Sequence, residues 1–230
     1  MKKTALIMAG GRGERFWPKS RQDMPKQFLS LTDDDKTMIQ LTVERIRPLV
    51  DIEDIYIATN QDYRELVRRQ LPELPEQNIL CEPVGRNTAP CICYAAYGLQ
   101  KRDPGAKMIV TPADHLILNE DDFRAIIAEC LDFASEHDAL MTVGIKPTRP
   151  DTGYGYIQVS DDKPISKVKC FTEKPDIELA RVFLQSGEFY WNSGIFVWKV
   201  RSIVEAFEKY LPEHHALFSG VMRAIGTDAE

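Results

Sequence analysis

Long hydrophobic runs are missing from this sequence of 230 residues. None approaches the roughly 20 consecutive apolar residues that a membrane-spanning helix needs, which argues against a membrane protein. Positive charge is also scarce, since 29 Lys and Arg face 35 Asp and Glu for a net charge of −6. Nucleic-acid-binding domains are usually basic, so the overall charge gives no support for that function.

Cysteine is too scarce and too irregularly spaced for a disulfide framework. There are five cysteines, an odd number, and Cys91-x-Cys93 has neither the spacing of a zinc site nor a paired histidine motif nearby. We therefore expect reduced thiols in the core of a cytoplasmic protein. Met1-Lys2-Lys3 leads directly into an apolar run, so we also expect no cleavable targeting segment.

Linkers rich in Gly, Ser or Pro are lacking too, as are internal repeats and low-complexity segments. The 43% of hydrophobic residues is enough for one sizeable core. We therefore expect a single domain over residues 1–230. Its pattern changes near residue 150, which separates a first part, 1–150, from a second part, 151–230.

The first part alternates apolar strand-like runs with amphipathic helix-like runs. This order predicts an α/β fold with a mostly parallel central sheet and helices on both faces. The predicted strands are Thr4–Ala9, Ile55–Thr59, Asn78–Cys81, Met108–Thr111 and Ala139–Val143, and the predicted helices are Met38–Leu49, Asp62–Leu71, Ala89–Lys101 and Asp121–Ser135. The second part predicts antiparallel strands at Tyr156–Ser160 and Lys167–Thr172, then a helix at Ile177–Ser186, a strand at Ser193–Val200, a helix from about Ser202 and no clear element from Leu217 onward.

The most informative stretch follows the first predicted strand. Apolar residues up to Ala9 end in Gly10-Gly11-Arg12-Gly13, and Arg15, Lys19 and Lys26 come next. Glycine lets backbone N–H groups approach a ligand closely, and the cations can neutralise a polyanion. The loop therefore predicts a site for a phosphate ester. It is neither a Walker loop nor a dinucleotide fingerprint, because no Gly-Lys-Ser/Thr follows and positions 15 and 16 are Arg and Phe.

Two further polar segments follow predicted strands, and parallel topology should bring all three to one edge of the sheet. In the segment Glu82–Pro90, Glu82 can accept from N1–H and the exocyclic amine of guanine together, whereas Asn87 or Thr88 suits a helix N-cap. In Pro112-Ala113-Asp114-His115, Asp114 is the candidate ligand of Mg²⁺, which takes one or two carboxylates besides phosphate oxygens and water. A solvated acid is the alternative for Glu82, and a turn aspartate is the simpler interpretation of Asp114 taken alone.

The second part carries a third group of polar motifs. Glu173 and Asn192 can hydrogen-bond sugar hydroxyls, and Lys174 can meet a sugar phosphate. Gly153 and Gly155 would let the backbone approach a sugar. Each signal is weak alone, because Gly-Tyr-Gly is a common turn and Glu-Lys is usually a solvated pair.

Taken together, the motifs resemble those of the sugar-1-phosphate nucleotidyltransferases. Gly10-Gly11-x-Gly13-x-Arg15, Pro18, Ser20 and Pro25-Lys26-Gln27 are similar to the signature of that family, and Glu82–Pro90 is similar to the guanine-site loop of the GDP-mannose pyrophosphorylases. The resemblance runs from Gly10 to about Phe196. It implies a Rossmann-like nucleotidyltransferase fold with a small antiparallel extension on the sugar side.

The resemblance also implies a reaction, the transfer of GMP from GTP to α-D-mannose 1-phosphate with release of pyrophosphate. The attacking sugar phosphate is already anionic, so the site has only to position two anions and neutralise growing charge. Arg15 would hold the β- and γ-phosphates, Lys26 the α-phosphate region, and Asp114 Mg²⁺. The other implied contacts are, for the nucleotide, Ala9, Gly10, Gly11, Gly13, Glu82, Gly85, Asn87 and Thr88 and, for the sugar phosphate, Gly153, Gly155, Glu173, Lys174 and Asn192.

One departure from the family concerns the C-terminus. The family normally continues beyond this point with a second metal-binding acid and a dimerisation region, and no acid before Glu230 matches the former. We therefore expect either a truncated or a naturally incomplete chain, with uncertain activity and with a homodimer that is weakened if a C-terminal region is missing. Three alternatives stay open: a nucleotidyltransferase that makes another NDP-sugar, a non-catalytic regulator that binds GDP-mannose, and a nicotinamide-dependent oxidoreductase, against which the missing fingerprint argues.

Overall fold

The computed structural model of the chain describes residues 1–11, 16–32, 35–82, 85 and 87–224, with the backbone alone for 221–224. These residues fold as two compact units. The first comprises Met1–Met141 with Phe196–Glu230, and the second comprises Thr142–Ile195. Within the described ranges, every helix is too short or too polar to cross a lipid bilayer.

The first unit is built on four parallel strands in the order β3-β2-β1-β4. They are β1 at Lys3–Met8, β2 at Ile55–Asn60, β3 at Ile79–Glu82 and β4 at Lys107–Pro112. The last residues of β8, the strand Phe189–Lys199, pair antiparallel with β4. The central strands are almost wholly buried because both faces of the sheet are covered. The predicted parallel sheet is confirmed.

Six α-helices of the described chain belong to the first unit. They are α1 at Met38–Ile46, α2 at Arg64–Gln70, α3 at Thr88–Arg102, α4 at Glu120–Glu136, α6 at Val200–Tyr210 and α7 at Pro212–Ala224. One face of the sheet presents Leu6, Tyr56 and Ala58 to a buried cluster that also contains residues of α3 and α6. Side chains alternate between faces along a strand, so Met8, Asn60 and Glu82 continue that same face to the strand ends.

The second unit is antiparallel, as its sequence pattern predicted. It contains β5 at Met141–Ile145, β6 at Gly155–Val159, β7 at Val168–Glu173, α5 at Ile177–Ser186 and the first residues of β8. Strand β6 pairs antiparallel with both β7 and β8. Its core is aromatic, with the rings of Phe183 and Phe189 stacked 3.8 Å apart between centroids.

Three elements differ from the sequence predictions. Strand β5 pairs with β8 instead of joining the four parallel strands. Strand β8 begins at Phe189 rather than Ser193. Buried and exposed positions alternate from Phe189 onward, but the polar run Asn192-Ser193-Gly194 obscures this alternation in the sequence. Helix α7 was not predicted at all. It is held by distant contacts, since Tyr97 of α3 hydrogen-bonds His215 and packs against Phe218.

Candidate functional site

A cleft of about 800 Å³ lies at the C-terminal edge of the four parallel strands. Each strand end contributes to its lining, with Gly10 after β1, Asn60 on β2, Glu82 on β3 and Pro112 on β4. Parallel topology predicted this convergence, because the carboxyl ends of parallel strands meet at one edge. The volume falls in the range that holds a ligand of nucleotide size.

The glycine loop after β1 is fixed from below by Gln27. Its buried amide nitrogen donates to the carbonyl oxygens of Ala9 at 2.8 Å and Gly11 at 2.9 Å. Thr59 adds a third bond, from Oγ1 to the oxygen of Ala9 at 3.0 Å. Because the peptide is planar and trans, a carbonyl turned toward Gln27 turns the N–H of Gly10 the opposite way. The loop thus offers a backbone donor on the side away from Gln27.

A cation and a carboxylate meet at the end of β4. Lys26 Nζ lies 3.4 Å from Oδ2 of Asp114, 3.1 Å from the carbonyl oxygen of Asp114 and 4.9 Å from the centroid of the Phe16 ring. The side chains of Lys26 and Asp114 are only 23% and 43% exposed, so their attraction is less screened than that of a surface pair. Both charges are therefore preorganised where a polyanion could approach.

Asp114 also satisfies one requirement of a magnesium ligand. Asp114 lines the cleft and its side chain is partly exposed, so its carboxylate is accessible to a cation. Among the described residues, no three His, Cys, Asp or Glu side chains cluster to form a metal cage. One carboxylate fits a Mg²⁺ ion that takes its remaining ligands from phosphates and water.

The loop that carries Asp114 is held by side chains that bond its backbone. Three consecutive carbonyl groups accept hydrogen bonds: that of Ala113 from Thr42 at 3.3 Å, that of Asp114 from Lys26 at 3.1 Å and that of His115 from Arg45 at 3.4 Å. Helix α1 supplies two of these donors and so anchors the loop. Burial lowers the pKa of His115, so its imidazole is neutral near pH 7 and is not a phosphate-binding cation.

Arg45 is the charged residue on which this anchoring depends. It is 1% exposed, and its Nε also donates to Oε1 of Glu120 at 3.2 Å. Replacing Arg45 by Met is expected to lower the free energy of unfolding by about 2–3 kcal/mol, because a buried carbonyl and a carboxylate lose a charged donor. Urea unfolding with an unchanged m-value would measure the loss.

The matched control for Arg45 is Arg47, which lies close by on the same segment. Its side chain is 47% exposed and pairs with Glu73 at 2.7 Å. Replacing Arg47 by Met should cost less than about 1 kcal/mol, the usual limit for an exposed ion pair. Equal losses for the two variants would contradict the anchoring role of Arg45.

Glu82 extends from the end of β3 into the cleft. A Cβ built on Gly10 would lie 3.5 Å from Oε2 of Glu82, so the carboxylate reaches the glycine loop. Burial raises the pKa of Glu82, and a hydrogen bond with Cys91 opposes that rise in part. Burial also raises the pKa of Cys91 to about 12, so Cys91 is a neutral thiol that can donate to the carboxylate.

The start of α3 forms another wall of the cleft, which Gly85, Asn87 and Thr88 line. Asn87 precedes the helix with a φ of 68°, in the left-handed region, and its side chain makes no capping hydrogen bond. Asn87 is therefore the N-cap residue, as expected, but it does not cap the helix through its side chain. The first turn of α3 leaves backbone N–H groups without helical partners, which suits a polar or anionic ligand.

The end of β2 and the following turn contribute residues to the cleft that the sequence motifs did not indicate. Asn60, Gln61, Asp62 and Tyr63 all line the cleft, and the hydroxyl of Tyr63 donates to the carbonyl of Gln22 at 3.0 Å. No glycine or motif marks this segment. The same rule that located the other segments, the carboxyl end of a parallel strand, would have found it.

Several predicted site residues lie outside the described residues. These are Gly13 and Arg15, with their neighbour Arg12 and, in the segment after β3, Arg86. Their roles stay predictions. Ala9 is described: it is buried, and its backbone N–H donates to the oxygen of Ala58 at 2.7 Å while its carbonyl accepts from Gln27.

The second unit brings three of its predicted residues together. Gly155 pairs with Glu173 across the antiparallel ladder, and a Cβ on Gly155 would lie 2.7 Å from Oε2 of Glu173 and 3.6 Å from Cβ of Asn192. Any larger residue at position 155 would displace Glu173. The oxygen of the Asn192 side chain accepts from Thr142 at 3.2 Å and from the N–H of Gly194 at 3.1 Å, so its NH₂ group is the end that remains for a ligand.

Lys174 and Gly153 complete this set. Lys174 Nζ pairs with Oε1 of Glu173 at 2.9 Å, and both side chains are more than half exposed. An exposed pair of this kind costs little to open for an anion. The N–H of Gly153 is already bonded to Asp151 at 2.8 Å, so this donor is not available to a sugar without rearrangement.

Known proteins share both sequence and fold with this chain. The family model described as nucleotidyl transferase matches residues 4–226. The chain is 40% identical to a mannose-1-phosphate guanylyltransferase of Escherichia coli K12 over 97% of its own length, and 39% identical to one of Salmonella typhimurium over 98%. A crystal structure described as mannose-1-phosphate geranyltransferase from Thermus thermophilus superimposes with a TM-score of 0.89 at 35% identity over the whole chain.

These relatives are longer than the chain. The chain spans about half of the two curated relatives, 48% of each, and 66% of the Thermus protein. The fold comparison therefore applies to the part that is shared. Over that part the mixed α/β architecture is the same.

Proposed function

Because the chain belongs to the nucleotidyl transferase family, we propose that it transfers GMP from GTP to α-D-mannose 1-phosphate, giving GDP-mannose and pyrophosphate. The names of its relatives support the choice of substrates. The observation that carries the proposal is one cleft lined by the half-buried Glu82 and by Asp114, whose carboxylate pairs with Lys26. Glu82 suits a guanine, and the pair of Asp114 and Lys26 suits a triphosphate with its metal ion.

The chemistry that we propose is an in-line displacement. An oxygen of the sugar phosphate attacks the α-phosphorus of GTP, and the bond from that phosphorus to the β-phosphate bridge breaks as pyrophosphate leaves. The nucleophile needs no general base, so the protein contributes position and charge. Lys26 would contact the α-phosphate, where negative charge grows, once its ammonium exchanges Asp114 for a phosphate oxygen. Arg15 would hold the β- and γ-phosphates.

We propose Mg²⁺ as the metal, held by Asp114. A bound Mg²⁺ neutralises and orients phosphate oxygens. Three carbonyl bonds fix the loop of Asp114, so its carboxylate needs little rearrangement to bind a cation. With a cation at Asp114, Lys26 would be free to contact the nucleotide, because it would no longer be needed as the counter-charge of Asp114.

The base would be selected by Glu82. Guanine presents N1–H and an exocyclic NH₂ side by side, and an ionised carboxylate offers two acceptors at matching positions. Burial raises the pKa of Glu82 and the Cys91 thiol stabilises the charged form, so the base-selecting state is the one above that raised pKa. Gly10, Gly11, Gly85, Asn87 and Thr88 would surround the nucleotide.

The sugar phosphate would bind to residues of the second unit. Glu173 and Asn192 would accept from and donate to the hydroxyls of mannose, and Lys174 would contact the phosphate. Gly155 suits this arrangement because a side chain at this position would push the Glu173 carboxylate out of its place. We also propose a homodimer and a cytoplasmic location, the latter in agreement with five cysteines that are all free thiols.

The decisive experiment measures pyrophosphate release. The protein is mixed with mannose 1-phosphate, Mg²⁺ and, in separate reactions, GTP, ATP, UTP or dTTP. We expect release with GTP at least about 100-fold faster than with the other nucleotides, because a site built for polar edges rejects bases that leave its groups unpaired.

Each of the other possible results would indicate a different function for the chain. Preference for another nucleotide would show that the chain makes a different NDP-sugar. Binding of GDP-mannose without pyrophosphate release would show a regulatory relative. A longer homologue of known activity, assayed in parallel, checks the reagents.

A further inference from the structure

A second side chain lies beside Glu82 at the strand ends. Asn60 is the register partner of Glu82 in the parallel pair of β2 and β3, so the two side chains point to the same face. Neighbouring strands lie about 4.8 Å apart. Both residues line the cleft. Glu82 and Asn60 therefore lie side by side and can both contact the same edge of a ligand in the cleft.

The position of the Glu82 carboxylate supports the placement of Asn60 beside it. In the strand order β3-β2-β1, the end of β2 lies between the end of β3 and the glycine loop. The Glu82 carboxylate nevertheless comes within 3.5 Å of a Cβ built on Gly10, so it extends past the end of β2. Asn60, the last residue of β2, is thus the neighbour over which the carboxylate passes.

The amide of Asn60 is fixed in one orientation. Its side-chain oxygen accepts from the N–H of Asp62 at 2.9 Å, which caps the turn after β2. The NH₂ group is consequently the opposite end of the amide. Across the described residues, no protein acceptor for that NH₂ group is found, whereas the amide of Gln27 is already bonded to two carbonyls.

Guanine needs a donor directly beside the groups that a carboxylate recognises. Its O6 is an acceptor adjacent to N1–H, whereas adenine carries an amine at that place. Glu82 can satisfy N1–H and the exocyclic amine but not O6, because two acceptors repel. We propose that Asn60 is a specificity-determining residue whose NH₂ group donates to O6 of the guanine. This inference rests on the proposed function and extends its base-binding site.

The test uses variants that keep the turn. Asp or Ser at position 60 retains an oxygen for the Asp62 N–H but has no NH₂ donor, so Asn60→Asp and Asn60→Ser separate the structural role from the recognition role. The control is Asn119→Ser. Asn119 caps α4 in the same way, accepting from the N–H of Asp122 at 3.3 Å, and does not line the cleft.

Three nucleotides differ in the groups that the base presents in equilibrium binding titrations. GTP has all groups, and ITP lacks the exocyclic amine that faces Glu82. The triphosphate of 2,6-diaminopurine riboside carries an amine in place of O6 and has no N1–H. Asn60→Asp should weaken GTP and ITP by the same factor, on the order of 10–100-fold. Its preference for GTP over the diaminopurine nucleotide should fall at least about 10-fold, because the new carboxylate can accept from that amine.

Other variants and outcomes complete the experiment. Asn119→Ser should bind all three nucleotides as the wild type does, and Glu82→Gln should reduce the discrimination between GTP and ITP. Wild-type affinity of Asn60→Asp for GTP would overturn the inference and leave the proposed function intact, and so would equal losses for all three nucleotides in both Asn60 variants. If the unaltered chain neither binds GTP nor releases pyrophosphate, the proposed function itself fails.

Discussion

Replacing Asp114 by Ala is expected to lower the turnover number for pyrophosphate release by about 10³-fold, because a charge-stabilising group at the reaction centre contributes several kcal/mol. The loss should be accompanied by a rise in the Mg²⁺ concentration needed for half-maximal rate. The protein should remain folded, since the backbone carbonyl that Lys26 and its neighbours hold is still present. Rates over a Mg²⁺ series and a thermal unfolding curve would measure both effects.

The control for Asp114 is an acid in the same unit that does not line the cleft. Asp138 accepts from Lys199 at 2.7 Å and is more than half exposed. Asp138→Ala should keep the turnover number and the Mg²⁺ requirement of the unaltered chain. A slow Asp114→Ala variant with an unchanged Mg²⁺ requirement would show that Asp114 does not hold the metal.

Replacing Lys26 by Ala is expected to lower the turnover number by about 10²–10³-fold, the usual cost of removing one charge-stabilising donor from a transition state. The Mg²⁺ requirement should not rise, because the carboxylate of Asp114 stays in place and loses a competitor. The two single variants therefore differ in a measurable way. The double variant should be less impaired than the product of the two losses, since both residues act on the same phosphates.

Lys36 provides the matching lysine control. It forms an ion pair with Glu44 at 2.7 Å on the surface of the first unit. Lys36→Ala should leave turnover within about two-fold of the unaltered chain, because exposed pairs contribute little. Near-normal turnover of Lys26→Ala would remove Lys26 from the proposed chemistry. A raised KM with an unchanged turnover number would limit Lys26 to binding the ground state.

Local patterns predicted the strands and most helices of the first unit because each strand is a short buried run between polar turns. They also located Gly10, Glu82 and Asp114, since each follows a strand directly. Helix α7 escaped prediction because it depends on Tyr97, a residue far away in sequence. The early start of β8 was not predicted for a similar reason. Packing in the core of the second unit determines which residues of β8 alternate between buried and exposed positions.

The contacts that support the site could not be inferred from local patterns. The end of a predicted strand would have located Asn60, but only the strand register pairs it with Glu82. Arg45 looked like any charged residue of an amphipathic helix, and only the packing of α1 buries it beside the loop of Asp114. The sequence did not distinguish Cys91 from the other predicted core thiols, and only the fold places it beside Glu82. Each of these contacts joins residues through the tertiary structure.

The ion pair of Lys26 and Asp114 has a consequence for the order in which ligands arrive. A bare divalent cation that approached Asp114 would have to displace the ammonium of Lys26 and leave it without a counter-charge. A metal ion that arrives with a triphosphate brings the replacement partner with it. If Asp114 holds the metal as proposed, a metal–nucleotide complex would replace the Lys26–Asp114 pair by two new pairings of opposite charge. Free Mg²⁺ would then be the weaker competitor for the site.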